Sequence, residues 1–160
     1  KVELEVEHHV HHKVPYKLFS DPTIANAISN LVTLCQSCHR LVESQVRVRS
    51  AISGLRFILE SLSPLMVMCD TGDLAGFADP SAKFADKKPA IIFYDNIPAG
   101  IGFSEHLYQK FDELLVNARD VIEHCECKDG CPSCVGPSLE NSSGGKMVTL
   151  QLINLLLAGT

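Results

Sequence analysis

The order of apolar and polar positions divides this sequence into alternating and helical stretches. Val2, Leu4, Val6, Val10 and Val14 share one phase of a two-residue period, the pattern of a half-buried strand or hairpin over residues 2–14. Pro15 and Ser20-Asp21-Pro22 mark a loop, and residues 30–34 form a short extended run. Over residues 37–62 the apolar positions recur at helical spacing through Leu41, Val46, Val48, Ile52, Leu55, Ile58, Leu59 and Leu62. Gly54 is a weak point in that helix and Pro64 its stop. Residues 65–69 and 90–94 are continuous apolar runs that suit buried strands; the Gly-, Asp-, Pro- and Lys-rich residues 70–89 read as an exposed loop. Ser104 is the expected N-cap of a helix reaching His124, with Leu107, Phe111, Leu114, Leu115, Ala118, Val121 and Ile122 on one face. A Ser/Gly-rich segment at 138–145 precedes a last helix over residues 146–157.

Composition fits a globular chain with a real core: apolar residues make up 46% and charged residues 21% of 160. The longest strongly apolar stretch, residues 147–159, is shorter than a span of about 20 residues, and Thr149, Gln151 and Asn154 interrupt it, so no membrane partner is expected. Lys1 stands where Met is expected and no signal segment follows, so the sequence reads as an excerpt or a processed piece. Residues 1–60 carry seven Lys/Arg against six Asp/Glu, and residues 61–160 seven against thirteen, which sums to the net charge of −5. That balance excludes broad phosphate binding through massed cations and confines any nucleic-acid contact to a local surface.

Six of the seven cysteines sit in two tight knuckles; Cys69 is left over in an apolar run and reads as a small buried hydrophobe. Knuckle spacing without a secretion signal favours metal over disulfide and predicts a reducing, cytoplasmic setting. In the second knuckle Cys125, Cys127, Cys131 and Cys134 are separated by one, three and two residues. Four thiolates at this spacing can close a tetrahedron around one structural zinc, with Gly130 allowing the reversal and Pro132 stiffening the second turn. His124 in place of one thiolate, or an iron–sulfur cluster, are the alternatives.

Phe93-Tyr94-Asp95, Pro98-Ala99-Gly100-Ile101-Gly102, the amphipathic helix and the Cys-x-Cys-x3-Cys-Pro-x-Cys-Val run follow in this order. Together with Met68-Cys69-Asp70 and Asp73 they resemble the MrfA-like zinc-binding domain, found at the C-terminal end of certain superfamily 2 DNA helicases and in helicase-partner proteins of phage defence. Ala99 stands where that family usually has a second Gly. The resemblance, over residues 50–158, implies a zinc-binding accessory role beside DEAD/DEAH-type motor domains, in the same chain or a partner, acting on DNA in repair or phage defence. No ATPase motif lies in this chain: Gly144-Gly145-Lys146-Met147 lacks the spacing and the Ser/Thr of a phosphate-binding loop. Asp95, Gly100 and Gly102 themselves read as a strand end and a turn.

The first knuckle has a different character. Val10-His11-His12-Lys13-Val14-Pro15, then Asn30-Leu31-Val32-Thr33-Leu34-Cys35-Gln36-Ser37-Cys38-His39-Arg40, is similar to an HNH, or ββα-metal, nuclease. A neutral imidazole can take a proton from water near pH 7, and a divalent cation can stabilise charge on a scissile phosphate. The resemblance implies His12 as general base, His11 and His39 as ligands of a catalytic Mg or Mn, and Asn30 orienting the loop. Lys13 or Arg40 would then contact phosphate. Cys35 and Cys38 supply half of a second zinc site, whose other pair in such nucleases lies upstream; the expectation is that this pair was cut off with the missing upstream part, the alternatives being that His8 and His9 substitute or that the knuckle holds no zinc. The expected architecture is α+β: an HNH-like ββα unit over residues 1–48, cut short at its start, then a mixed zinc-binding domain over 49–160. Its function is that of the helicase accessory region or, alternatively, of a metal-dependent HNH endonuclease.

Overall fold

The computed structural model describes residues 7–98, 100–137 and 144–159, with the backbone alone of Lys17. Val2, Leu4 and Val6 of the expected strand, Ala99, and most of the Ser/Gly-rich segment lie outside these residues. The chain divides into two compact units, residues 1–47 and 48–160.

In the first unit β1 (His8–His12) pairs antiparallel with β2 (Leu31–Cys35), His8 opposite Cys35 and His12 opposite Leu31. Their connection holds the single-turn helix α1 (Pro22–Ala25), capped by Asp21, whose Oδ1 accepts the N–H of Thr23 at 2.8 Å. The long helix α2 (Gln36–Val67) starts directly after β2. The apolar alternation pointed to the wrong face of β1. Val10 and Val14 are exposed at 60% and 44%, whereas His9 and His11 turn inward against His39 of α2. Imidazoles form the inner face here because their rings stack edge or face against a third ring.

In the second unit the later half of α2 supplies Leu55, Ile58 and Leu59 to a core completed by Leu114, Leu115, Ala118, Ile122, Val135 and Ile153. Each fully buried Leu or Ile contributes about 1.5–3 kcal/mol. Four expectations need correction. Pro64 does not stop α2, and residues 65–69 are not a strand: proline disturbs the turn before it, while the residues after it complete the last turn to Val67. The helix ends at Met68, in left-handed conformation with φ 56°, and the N–H of Cys69 reaches back to the Pro64 carbonyl at 3.3 Å.

Residues 70–89 are not simply a loop. β3 (Leu74–Ala82) pairs antiparallel with β4 (Lys88–Asp95), Leu74 opposite Asp95, and Pro80 falls where the register breaks between Asp79 and Ala82, a place that tolerates a missing N–H. The single helix expected to reach His124 is two, α3 (Phe103–Gln109) and α4 (Phe111–His124), interrupted at Lys110. Lys110 Nζ donates to the Met66 carbonyl at 3.1 Å. The last helix, α5 (Gly145–Gly159), is where the pattern put it.

Gly54 is more than a weak point: a Cβ there would run into Thr149 Oγ1 of α5, so α2 and α5 approach too closely for any side chain. By length and composition α2 could cross a membrane, but more than half of its most apolar stretch is buried within the chain, as in a core helix.

Candidate metal centre

The last turn of α4 delivers Cys125 in extended conformation, and the following nine residues fold back on it. Sγ–Sγ distances are 3.5 Å for Cys125–Cys127, 3.6 Å for Cys125–Cys131, 3.5 Å for Cys127–Cys134 and 3.6 Å for Cys131–Cys134. All four sulfurs lie within 4.8 Å of one another, and none is in a disulfide. A tetrahedron with zinc–sulfur bonds of about 2.3 Å has edges of about 3.8 Å, so the set fits zinc closely. The Cys131 N–H points at Cys134 Sγ, 3.4 Å away. His124 lies outside the set; its Nδ1 faces the Asp120 carbonyl at 2.9 Å.

The thiols differ in their readiness to ionise. The Ser133 N–H lowers Cys131 to about 6, whereas burial pushes Cys134 up to about 12. Four thiolates cannot coexist here at neutral pH without a cation to compensate them. Gly130, at φ 114°, makes the reversal; a Cβ there would sit 2.5 Å from Val135 Cγ2 and 3.2 Å from the Lys146 N. Lys146, on α5, donates its backbone N–H to the Asp129 carbonyl at 2.9 Å and its ammonium to the carbonyls of Cys125 and Cys127. The sequence reading missed Lys146, which stands outside every motif.

Asp95, at the end of β4, also does more than end a strand. Its Oδ2 accepts the N–H of Ile101 and of Gly102 at 2.9 and 2.7 Å, and its Oδ1 that of Ser104 at 2.7 Å. It therefore caps α3 from a distance, in place of Ser104. The turn reading of Gly100 and Gly102 holds, with φ 60° and 87°. The Ser104 N–H and hydroxyl, then the other two N–H groups, hold the Asp95 carboxyl well below the usual carboxylate range.

In the first unit Asn30 is buried and fully engaged. Its Nδ2 donates to the carbonyls of Val14 and Ala25 at 3.1 and 2.8 Å, and its Oδ1 accepts the Val14 N–H at 2.9 Å. Asn30 thus pins the β1–β2 connection. His12 Nε2 lies 3.0 Å from Asn26 Oδ1, a partner the sequence reading missed for want of a motif. The ring centroids of His11 and His39 are 5.4 Å apart, edge to face, and those of His9 and His39 are 5.0 Å apart, stacked. His39 Nδ1 is 3.5 Å from Glu43 Oε1. Lys13 Nζ donates to the Ser29 carbonyl at 2.8 Å, and Arg40 is exposed. Cys35 lies beside Ser37, whose hydroxyl at 3.2 Å lowers the thiol to about 7, while Cys38 is exposed and raised by Cys35. Among the described residues, only Cys125, Cys127, Cys131 and Cys134 assemble three or more metal-type ligand atoms.

The model of the MrfA Zn-binding domain matches residues 55–135, half of the chain and the whole four-cysteine loop. The chain belongs to the MrfA Zn-binding domain family. The ATP-dependent helicase YprA of Bacillus subtilis is 34% identical over 101 residues, which are 63% of this chain and 13% of YprA. The ATP-dependent helicase HRQ1 of Saccharomyces cerevisiae is 30% identical over 111 residues, 62% of this chain and 10% of HRQ1. A crystal structure of the DUF1998 helicase MrfA bound to DNA superposes with TM-score 0.60 and 32% identity, over 69% of this chain and 14% of that one. This MrfA Zn-binding domain thus corresponds to a zinc-binding region of helicases and spans only 10–14% of these relatives. Residues 1–45 match the HNH endonuclease model.

Proposed function

We propose that this chain is the zinc-stapled accessory region of a DEAD/DEAH-type superfamily 2 DNA helicase system, its motor domains in the same chain or a partner, working in DNA repair or phage defence in the cytoplasm. The observation that carries this reading is the set of four cysteine sulfurs at 3.5–3.6 Å within a fold similar to that of MrfA. Cys125, Cys127, Cys131 and Cys134 would hold the zinc, which compensates four thiolates and closes the loop. No coordination position is left for water, so the metal's work is rigidity. The relative bound to DNA supports DNA as partner, contacted by surfaces that the closed loop holds in place. The test is Cys131→Ser: zinc per chain, by elemental analysis, should fall by one, and melting should shift sharply down. Unchanged zinc and melting would refute the reading.

A second reading rests on the first unit, whose ββα order and match to the HNH model favour a divalent-metal endonuclease. His12 would take a proton from water, with Asn26 and Tyr16 setting the orientation of its ring. His11 and His39 would hold Mg or Mn, which supplies charge to the scissile phosphate; Asn30 holds the connection, and Arg40 and Lys13 offer charge to the strand. Cys35 and Cys38 would contribute to a second zinc. Nicking of plasmid DNA with Mg or Mn, absent in His12→Ala, is the expected result; equal nicking by both would remove His12 as base.

A further inference from the structure

The connection between β1 and β2 folds back on one imidazole. His12 is the last residue of β1, and its Nε2 lies 3.0 Å from Asn26 Oδ1, fourteen residues on. Asn26 is held in place from two directions. It closes α1, donating its own N–H to the Pro22 carbonyl at 3.0 Å. Its neighbour Ala25 is buried, and the Ala25 carbonyl accepts from Asn30 Nδ2 at 2.8 Å. The same Asn30 side chain is bonded to both backbone groups of Val14, two residues past His12. Asn30 thus fastens at one point the strand that carries His12 and the helix end that carries Asn26. Tyr16 meets the His12 ring edge to face, with centroids 5.8 Å apart and the planes at 80°.

The contact with Asn26 fixes which ring nitrogen carries the proton. An amide oxygen only accepts, so Nε2 of a neutral His12 must hold the hydrogen, and the free lone pair is then on Nδ1. Among the described residues nothing hydrogen-bonds Nδ1, and His12 is only partly buried, so that nitrogen has no competing partner. We infer that Asn26 is a positioning residue for His12: it sets the Nε2–H tautomer and so makes Nδ1 the nitrogen that takes a proton from water. In that step the proton passes from water to Nδ1, hydroxide is left for the phosphate, and the imidazolium keeps its Nε2–H on Asn26 Oδ1. An amide turned the other way would donate from Nδ2 to Nε2, move the ring proton to Nδ1 and leave no base. Asn30 then serves the chemistry at one remove, by holding Asn26 and His12 together. The inference rests on the nuclease reading of the first unit and adds to it a residue that none of the motif positions includes.

The test uses the whole chain, loaded with zinc and isotope-labelled at its histidine nitrogens. NMR above the ordinary histidine titration range reads the tautomer, with the His12 signals assigned by their loss in His12→Gln. Wild type should show one tautomer, protonated on Nε2 and not on Nδ1. Asn26→Ala should let the two tautomers exchange, which draws the two nitrogen shifts toward each other. It should also nick plasmid DNA in Mg roughly 10-fold or more slowly at saturating DNA, with KM unchanged. Asn26→Asp keeps an acceptor and should restore both the single tautomer and most of the rate, a rescue that a merely structural residue would not show. Ile28→Ala, exposed in the same connection, should behave as wild type does. Unmoved signals of His9 and His39 establish that each variant is folded. A wild type that nicks DNA with the His12 proton on Nδ1, or an Asn26→Ala variant that keeps the wild-type shifts or rate, would overturn the proposal and leave the nuclease reading standing. A wild type that does not nick would overturn both.

Discussion

The two cysteine knuckles of this chain are built on opposite plans. The knuckle after α4 gathers four sulfurs from ten consecutive residues, and one of them, Cys134, is 1% exposed beside the core residues Val135 and Ile122. The knuckle at the start of α2 offers two thiols, one of them exposed, beside three histidine rings whose nearest valines face outward. The first is a closed set continuous with a hydrophobic core; the second is an open array on a small unit. The difference teaches that ligand chemistry alone does not decide a site's role. A ligand set buried into a core belongs to stability, and one held by a hairpin does not carry that duty.

That contrast can be broken most sharply at Cys131. Cys131→Ser should abolish the zinc of the second unit and lower its melting temperature by roughly 10 °C or more, since metal-binding energy in such sites is folding energy. On the nuclease reading, His12→Ala should reduce Mg- or Mn-dependent nicking by roughly 100-fold or more while melting and zinc stay unchanged. Gly130→Ala forces a side chain into φ 114° against Val135 and should cost about 1–3 kcal/mol in chemical denaturation.

Asp95→Asn tests the cap through pH. Because the folded-state pKa of Asp95 is depressed, its contribution is fully present above the ordinary carboxylate range and is lost as pH falls from that range to the lower folded-state value. Wild-type melting should therefore fall on acidification more steeply than that of Asp95→Asn, and equal slopes would remove the cap from the account. Smallest of all, Cys38→Ser should leave the melting of the second unit unaltered.

How far the sequence told this in advance depended on whether the signal was local. The four cysteines, α4 and α5 were legible because spacing and helical period lie within a few residues of one another. β3 was hidden by Gly76, Asp79 and Pro80, which disfavour strands in isolation and are accommodated by a register break visible only once β4 is alongside. The face of β1 was misassigned because valines usually turn inward, and no local rule announces that His39, nearly thirty residues on, will bring its ring to His9 and His11. Asp95 and Lys146 escaped because each acts on backbone groups outside its own element, Asp95 six to nine residues on and Lys146 about twenty residues away. Gly54 looked like a flaw because the reason for it, Thr149, lies on another helix.

Lys146 carries one more implication. A dication among four thiolates would leave two negative charges in the loop, and the carbonyls of Cys125 and Cys127 hold an ammonium on that same loop. The first turn of α5 would thereby supply a counterion to the loaded centre. Neutralising that one side chain, as in Lys146→Met, would leave every ligand in place and still make the centre easier to strip with a chelator.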